Sequence, residues 1–410
     1  MFANMDEIYN SIRQEIYNEL DITKEIEETQ IYDLIENKIA NYTSNHIVPL
    51  VVRENLKIRL FNSIRKLDIL QELLDDNSIT EIMINGSENI FVEKNGHIEK
   101  YNGSFESESK LEDVAQRIAA MSNRIVNESS PIVDTRLDDG SRVNIVLPPV
   151  ALDGPTITIR KFYKTPISLE KLIEIGSITT EAAEFLRNAV HARLNIFVSG
   201  GTGSGKTTFL NALSNFIPED ERVITIEDSA ELQLSRVKNL VRLESRNANV
   251  EGKNSVSIRD LIKSSLRMRP DRIVVGECRG GEALDMLTSM NTGHDGSLST
   301  GHSNSSEDML SRIETMVLMS GIKMPLDAIR SQIASALDLI VHLKRMRDKS
   351  RKVVEITEVL RYENGIIRLN PLYEFVEEGE VENGKIIGSL KRTNNEIVNK
   401  DKFQSAGIEL

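Results

Sequence analysis

Residues 195–199, Asn-Ile-Phe-Val-Ser, are a short apolar run that opens into Gly200-Gly201-Thr202-Gly203-Ser204-Gly205-Lys206-Thr207. Phe209, Leu210, Leu213, Phe216 and Ile217 follow at helical spacing. A strand, a loop of G-x-x-x-x-G-K-[ST] form and a helix, in that order, predict a P-loop that binds a nucleoside triphosphate. The residue types explain the chemistry. Glycines let successive N–H groups turn inward on phosphate oxygens, where side chains would obstruct them. The helix presents its positive end to the same anion. Lys206 is expected to reach the β- and γ-phosphates, the Thr207 hydroxyl to ligate Mg²⁺, and Thr208 to assist at the α-phosphate.

A bound triphosphate needs a carboxylate to hold Mg²⁺ through water and one to activate the attacking water. Two apolar runs offer them. Arg272-Ile273-Val274-Val275-Gly276-Glu277 follows Pro270 and ends in Glu277 rather than the usual Asp, so Glu277 has to serve as the acidic end of the Walker B strand. Val223-Ile224-Thr225-Ile226-Glu227-Asp228 is the other, with Glu231 three residues beyond Asp228. The sequence leaves the general base open: Glu277 is favoured, with Glu231 and Glu227 as competitors. His302 follows a short strand expected over 297–300, where a γ-phosphate sensor would sit. With no cysteine pair near His294 and His302, a zinc site is not expected.

From about residue 180 the pattern alternates strand and helix, which predicts an α/β fold with a mostly parallel sheet covered by helices. The part before it reads differently. Ile8, Ile12, Ile16 and Leu20 recur at helical spacing in a stretch of 38 residues holding ten acidic and three basic groups. Leu56, Leu60, Ile64, Leu67 and Leu74 mark a helix over roughly 54–75. Ile82, Ile84, Ile90, Val92 and Ile98 then alternate with polar residues, and Asn85-Gly86 and Asn95-Gly96 are hairpin signals. A helix from about Lys110 to Arg124, a turn within Asp134–Asn144 and a strand over 156–160 complete an α+β segment. The expected boundaries are a helical extension over 1–75, an α+β domain over 76–163, a linker over 164–178, an ATPase domain over 179–376 and a tail over 377–410.

Composition limits the partners. The 410 residues carry a net charge of −13, which argues against a chain built chiefly to wrap nucleic acid. About half of that charge lies in the first 38 residues, so the exclusion is weaker for the P-loop region. The single cysteine, Cys278, excludes an internal disulfide framework and fits a reducing compartment. No run near 18 apolar residues suggests a membrane span. The N-terminus lacks the basic patch and apolar core of a signal peptide.

Taken in order, the P-loop, Ile226-Glu227-Asp228-Ser229-Ala230-Glu231-Leu232, Pro270 to Ala283 with Gly276-Glu277-Cys278-Arg279-Gly280, and Thr292-Gly293-His294-Asp295-Gly296-Ser297 through His302 resemble the Walker A, Asp box, Walker B and His box of secretion ATPases. These are the motors of type II and type IV secretion and of type IV pili. Arg136-Leu137-Asp138-Asp139-Gly140-Ser141-Arg142-Val143-Asn144 and the Gly276–Gly280 segment resemble the tight-adherence (Flp pilus) branch. The resemblance implies a RecA-like ATPase domain behind an α+β domain, and a hexameric ring. It implies Mg²⁺-dependent ATP hydrolysis, with Arg142 and Arg160 reaching the phosphates, Arg136 as a further candidate, and Arg279, beside Glu277, as a candidate sensor at the subunit interface. It also implies a cytoplasmic, membrane-peripheral motor that drives pilus assembly or protein secretion through an inner-membrane platform, with no nucleic acid expected. A retraction or conjugative-transfer motor, and a nucleic-acid motor on the same core, remain alternatives. One cysteine cannot build the four-cysteine zinc cassette of some relatives.

Overall fold

The computed structural model describes residues 5–20, 26–94, 96–162, 166–246, 254–380 and 384–409. They form two compact units, Met1–Phe162 and Tyr163–Leu410.

The first unit begins with helices α1 (Met5–Glu19), α2 (Glu28–Asn45), α3 (Leu50–Arg65) and α4 (Ile69–Asp75). Ile8, Ile12 and Ile16 meet Ile31, Ile35 and Ile39 of α2 and Leu56, Leu60 and Phe61 of α3 in an apolar cluster of their own. Four-residue spacing puts each set on one stripe, and the acidic side chains are left to water. The single helix expected over 54–75 is two. Asp68 takes φ 59° and ψ −139°, which interrupts the helix, and its carboxylate accepts from the Ile69 N–H at 2.7 Å, starting α4 afresh.

Strands β1 (Ile79–Asn85), β2 (Ile90–Lys94) and β3 (His97–Lys100) come next, then α5 (Glu108–Met121), β4 (Ile132–Arg136), β5 (Arg142–Val146) and β6 (Thr156–Arg160). The sheet is antiparallel in the order β3-β2-β1-β6-β5-β4. Ile82, Ile84, Ile90 and Val92 pack with Leu111, Val114 and Ile118 of α5. Ile98 does not follow that pattern, because β3 is an edge strand and leaves it 65% exposed. Asn95 of the second hairpin signal lies outside the described residues.

The second unit runs α6 (Leu169–Glu174), α7 (Thr180–His191), β7 (Ile196–Gly200), α8 (Lys206–Ser214), β8 (Arg222–Glu227), β9 (Asn239–Glu244), α9 (Ile258–Ser265), β10 (Arg272–Val275), α10 (Glu282–Met290) and β11 (Leu298–Gly301). It continues through α11 (Ser306–Met319), α12 (Leu326–Ala336), β12 (Leu339–Arg345), β13 (Arg351–Glu363), β14 (Ile366–Glu380), β15 (Ile386–Arg392) and α13 (Asp401–Ser405). One nine-stranded sheet has the order β15-β14-β13-β12-β7-β11-β10-β8-β9. From β12 to β9 all neighbours are parallel; β13, β14 and β15 extend it as antiparallel hairpins. Val198 belongs to the core on one face and Phe197 to the core on the other. Burial on both faces is why the P-loop strand reads as a continuous apolar run rather than an alternating one.

Part of the segment over 377–410 joins this unit's sheet and core. Strand β15 pairs along β14, and Phe403 of α13 is fully buried in the same core. Lys402 bridges Asp295 and Asp338 at 2.7 Å each. These anchors, apolar and ionic alike, lie far away in sequence, so the segment by itself did not announce them. No helix among the described residues is long and apolar enough to cross a membrane.

Candidate nucleotide site

The P-loop leaves the end of β7, between β11 and β12. Gly200 sits at φ 152°, and a Cβ there would lie 2.4 Å from the Leu343 carbonyl oxygen and 2.6 Å from Ser204 Oγ. No other residue fits that position. Gly205, at φ 93°, caps α8, which sets the positive end of the helix at the loop. Gly201, Thr202 and Gly203 are exposed, whereas Ser204 is buried.

Lys206 is 7% exposed. Its Nζ donates to the Gly201 carbonyl at 3.0 Å and lies 3.2 Å from Nδ1 of His302. An ammonium can only donate, so Nδ1 is the acceptor and Nε2 carries the imidazole proton. Burial and the neighbouring Lys206 charge push the His302 pKa down, which keeps the ring neutral for that role. Nε2 lies 2.8 Å from Oε1 of Glu277. The approach is off the line of a hydrogen bond, and Oε1 is left buried without a hydrogen-bond partner. The other oxygen of Glu277 is 2.5 Å from Arg279 Nη2, and Nη1 of Arg279 is 3.8 Å from Asp228 Oδ2. One polar chain thus links four segments far apart in sequence: Lys206, His302, Glu277, Arg279 and Asp228.

Glu227 stands apart from that chain. It is 3% exposed, and Oε2 accepts from the backbone N–H groups of Glu231 and Leu232 at 2.8 and 3.0 Å. Burial raises its pKa to about 7. Gly276 makes room for it, since a Cβ there would come within 2.8 Å of Glu227 Cγ. The carboxyl group pins the 228–232 loop against the end of β10. Glu231 is half-buried, and its backbone is what Glu227 holds. His294 points its Nδ1 at the Ser289 carbonyl, 3.2 Å away, an arrangement local to the turn after α10.

In the first unit the arginines are brought together by register. Arg136 pairs with Arg142 across β4 and β5, and Arg142 with Arg160 across β5 and β6. Directly opposed residues share a face, so three guanidinium groups form one rung, with Glu81 opposite Arg160. Arg142 has Asp134 at 3.6 Å, both side chains 42% exposed, too solvated to bind it strongly. A row of like charges across a sheet is unfavourable by itself and suits a polyanion.

Sequence reasoning overlooked the turn between β12 and β13, which reaches the P-loop: Arg351 Nε donates to the Gly203 carbonyl at 2.9 Å. The available signal was the density of basic residues over 344–352.

Comparison with known proteins gives consistent matches. The family described as "Type II/IV secretion system protein" matches residues 64–378. A putative conjugal transfer protein of Mycobacterium tuberculosis is 37% identical over 306 residues, 73% of this chain and 86% of that protein. The type IV secretion system protein VirB11 of Bartonella quintana is 32% identical over 330 residues, covering 71% and 91%. Among solved structures, the pilus retraction motor PilT with bound ADP aligns at a TM-score of 0.50 and 19% identity, over 83% of this chain and 87% of that one. At that identity the likeness concerns the fold.

Proposed function

The chain belongs to the type II/IV secretion system protein family, and on that premise we propose that its second unit is the engine of an export machine. It is an ATP-hydrolysing enzyme. The observation that carries the site is the contact chain from the P-loop Lys206 through His302 to Glu277. It joins the group that would hold the γ-phosphate to the group that would activate water. The unpartnered, buried Oε1 of Glu277 fits a water donor.

Hydrolysis would proceed by in-line attack of water on the γ-phosphorus, with Glu277 taking the water's proton as the bond to the bridging oxygen breaks and ADP and phosphate separate. Lys206 leaves the Gly201 carbonyl for the β- and γ-oxygens. The neutral His302 donates from Nε2 to whatever occupies the space beside Glu277, which makes it responsive to the γ-phosphate. The N–H groups of Gly201 through Thr208 and the α8 N-terminus cradle the phosphates. The Thr207 hydroxyl and, through water, Glu277 would hold Mg²⁺, which would supply charge neutralisation at the phosphates. Glu231 and Glu227 shape the loop beside this carboxylate. Arg142, Arg160 and Arg136 of the first unit are the candidates that the family resemblance offers for neutralising charge that develops on the γ-phosphoryl.

The motor would work as a homo-oligomer, a hexameric ring, in the cytoplasm against an inner-membrane platform protein, and hydrolysis would drive a change in the arrangement of its subunits. The names of the relatives direct it toward type IV secretion and conjugal transfer. A tight-adherence pilus motor is the second reading, carried by the Arg136–Asn144 and Gly276–Gly280 segments. In a phosphate-release assay with Mg-ATP, Lys206→Ala should lower turnover by at least about a thousandfold; an unchanged rate would sink the assignment of the site.

A further inference from the structure

The turn from β12 to β13 carries Lys344, Arg345, Arg347, Lys349, Arg351 and Lys352 against one acid, Asp348. The sheet register brings it to the nucleotide site, because Leu343 pairs with Gly200 and the chain beyond Leu343 therefore passes the P-loop. Arg351 Nε donates to the Gly203 carbonyl at 2.9 Å, and Arg351 Cδ lies 3.4 Å from where a Cβ on Gly205 would stand. Nη1 of Arg345 lies 3.7 Å from the corresponding point on Gly203.

The turn is held firmly in that place. Met346 N–H donates to the Ser350 carbonyl at 2.8 Å. Asp348 accepts from the Ser350 N–H and hydroxyl at 2.9 and 2.6 Å and, through its other oxygen, from the Ile386 N–H of β15 at 2.9 Å. Arg347 pairs with Glu377.

The C=O and N–H of a trans peptide point in opposite directions. A guanidinium that holds the Gly203 carbonyl outward therefore turns the Ser204 N–H the other way, into the loop. That N–H makes only a 3.3 Å bond to the Gly201 carbonyl, a long bond that a phosphate oxygen can displace. We propose that the β12–β13 turn is a second, basic wall of the nucleotide site. In it Arg351 is a positioning residue that tethers the P-loop in its anion-binding conformation, and Arg345 adds a cation beside it, both from the same subunit as the loop. The inference rests on reading the P-loop as an ATP site. A tether on the shared cradle acts on the phosphates common to ATP and ADP, so both nucleotides feel it alike.

The test is titration of the purified full chain with fluorescent mant-ATP and mant-ADP, alongside a thermal melt. Arg351→Ala should weaken both nucleotides by about tenfold, the worth of one charge-assisted hydrogen bond, and leave the melting temperature unchanged. Arg351→Lys, which keeps a cationic donor, should recover most of the affinity; Arg347→Ala, whose partner is Glu377, should bind like the parent. Unchanged affinity in Arg351→Ala, a loss confined to ATP, or no recovery with lysine each overturns the tether. Lys206→Ala is the control that separates the two readings. If it loses nucleotide while Arg351→Ala does not, the ATP site stands and the tether falls. If Lys206→Ala also binds like the parent, the ATP-site reading fails and the tether with it.

Discussion

Two carboxylates stand at the ends of neighbouring parallel strands, Glu227 closing β8 and Glu277 following β10, and their surroundings could hardly differ more. Glu227 is enclosed, accepts two backbone N–H groups and is driven toward its protonated form by burial. Glu277 keeps 20% of its side chain accessible, beside a cationic Arg279 and a neutral His302 that touches the P-loop lysine. Position at a strand end makes both residues candidates; the next few ångströms give Glu227 a loop to hold and leave Glu277 as the proposed base. A base must reach water and return its proton. Each carboxylate keeps one buried oxygen without a hydrogen-bond partner, so what separates them is burial: Glu227 is driven toward the protonated form, and a protonated carboxyl cannot take a proton.

That contrast can be broken by substitution. The largest effect is expected from Glu277→Gln, which keeps the shape and removes the proton acceptor: steady-state turnover should fall by about a thousandfold with nucleotide binding retained. A fall of less than tenfold would move the base elsewhere. His302→Ala should cost about a hundredfold in turnover, since it severs the contact between Lys206 and Glu277 without removing either; an effect as small as that of a surface residue would make His302 a bystander.

The smallest effect on turnover belongs to Glu227→Gln, less than about tenfold, but it should change the pH dependence of stability. Folded Glu227 holds its proton to about pH 7, against an ordinary value of 4.5. Its stabilising contribution is therefore complete below about pH 4.5 and is lost as pH rises through about 7. The neutral glutamine has no such loss. The variant should match the parent in acid and exceed it at alkaline pH by on the order of 3 kcal/mol, read as a melting temperature several degrees higher. Parallel pH profiles for the two proteins would show that Glu227 is ionised in its pocket.

Much of the architecture was legible in the chain itself. Unbroken apolar runs before the P-loop and before Glu277 announced strands buried on both faces, and four-residue isoleucine spacing announced the N-terminal helices. Features that depend on distant partners were not legible. The break at Asp68 needs a local backbone conformation that periodicity does not encode. The tail over 377–410 looked uninformative because its anchors, Lys402 on Asp295 and Asp338 and Phe403 in the core, lie far away in sequence.

The sequence by itself determined that this chain builds a phosphate cradle, because glycine at fixed intervals, a lysine and a helix start are local requirements met by consecutive residues. Only the tertiary structure decided what surrounds the cradle. Strand order brings His302 and Glu277 to Lys206, register lines up Arg136, Arg142 and Arg160, and β12 carries Arg351 to Gly203. Burial then distinguishes Glu227 from Glu277, which the sequence favoured as the base without excluding Glu227 or Glu231. Proximity and dielectric environment are properties of the packed chain, and they set the partners and the protonation of each carboxylate.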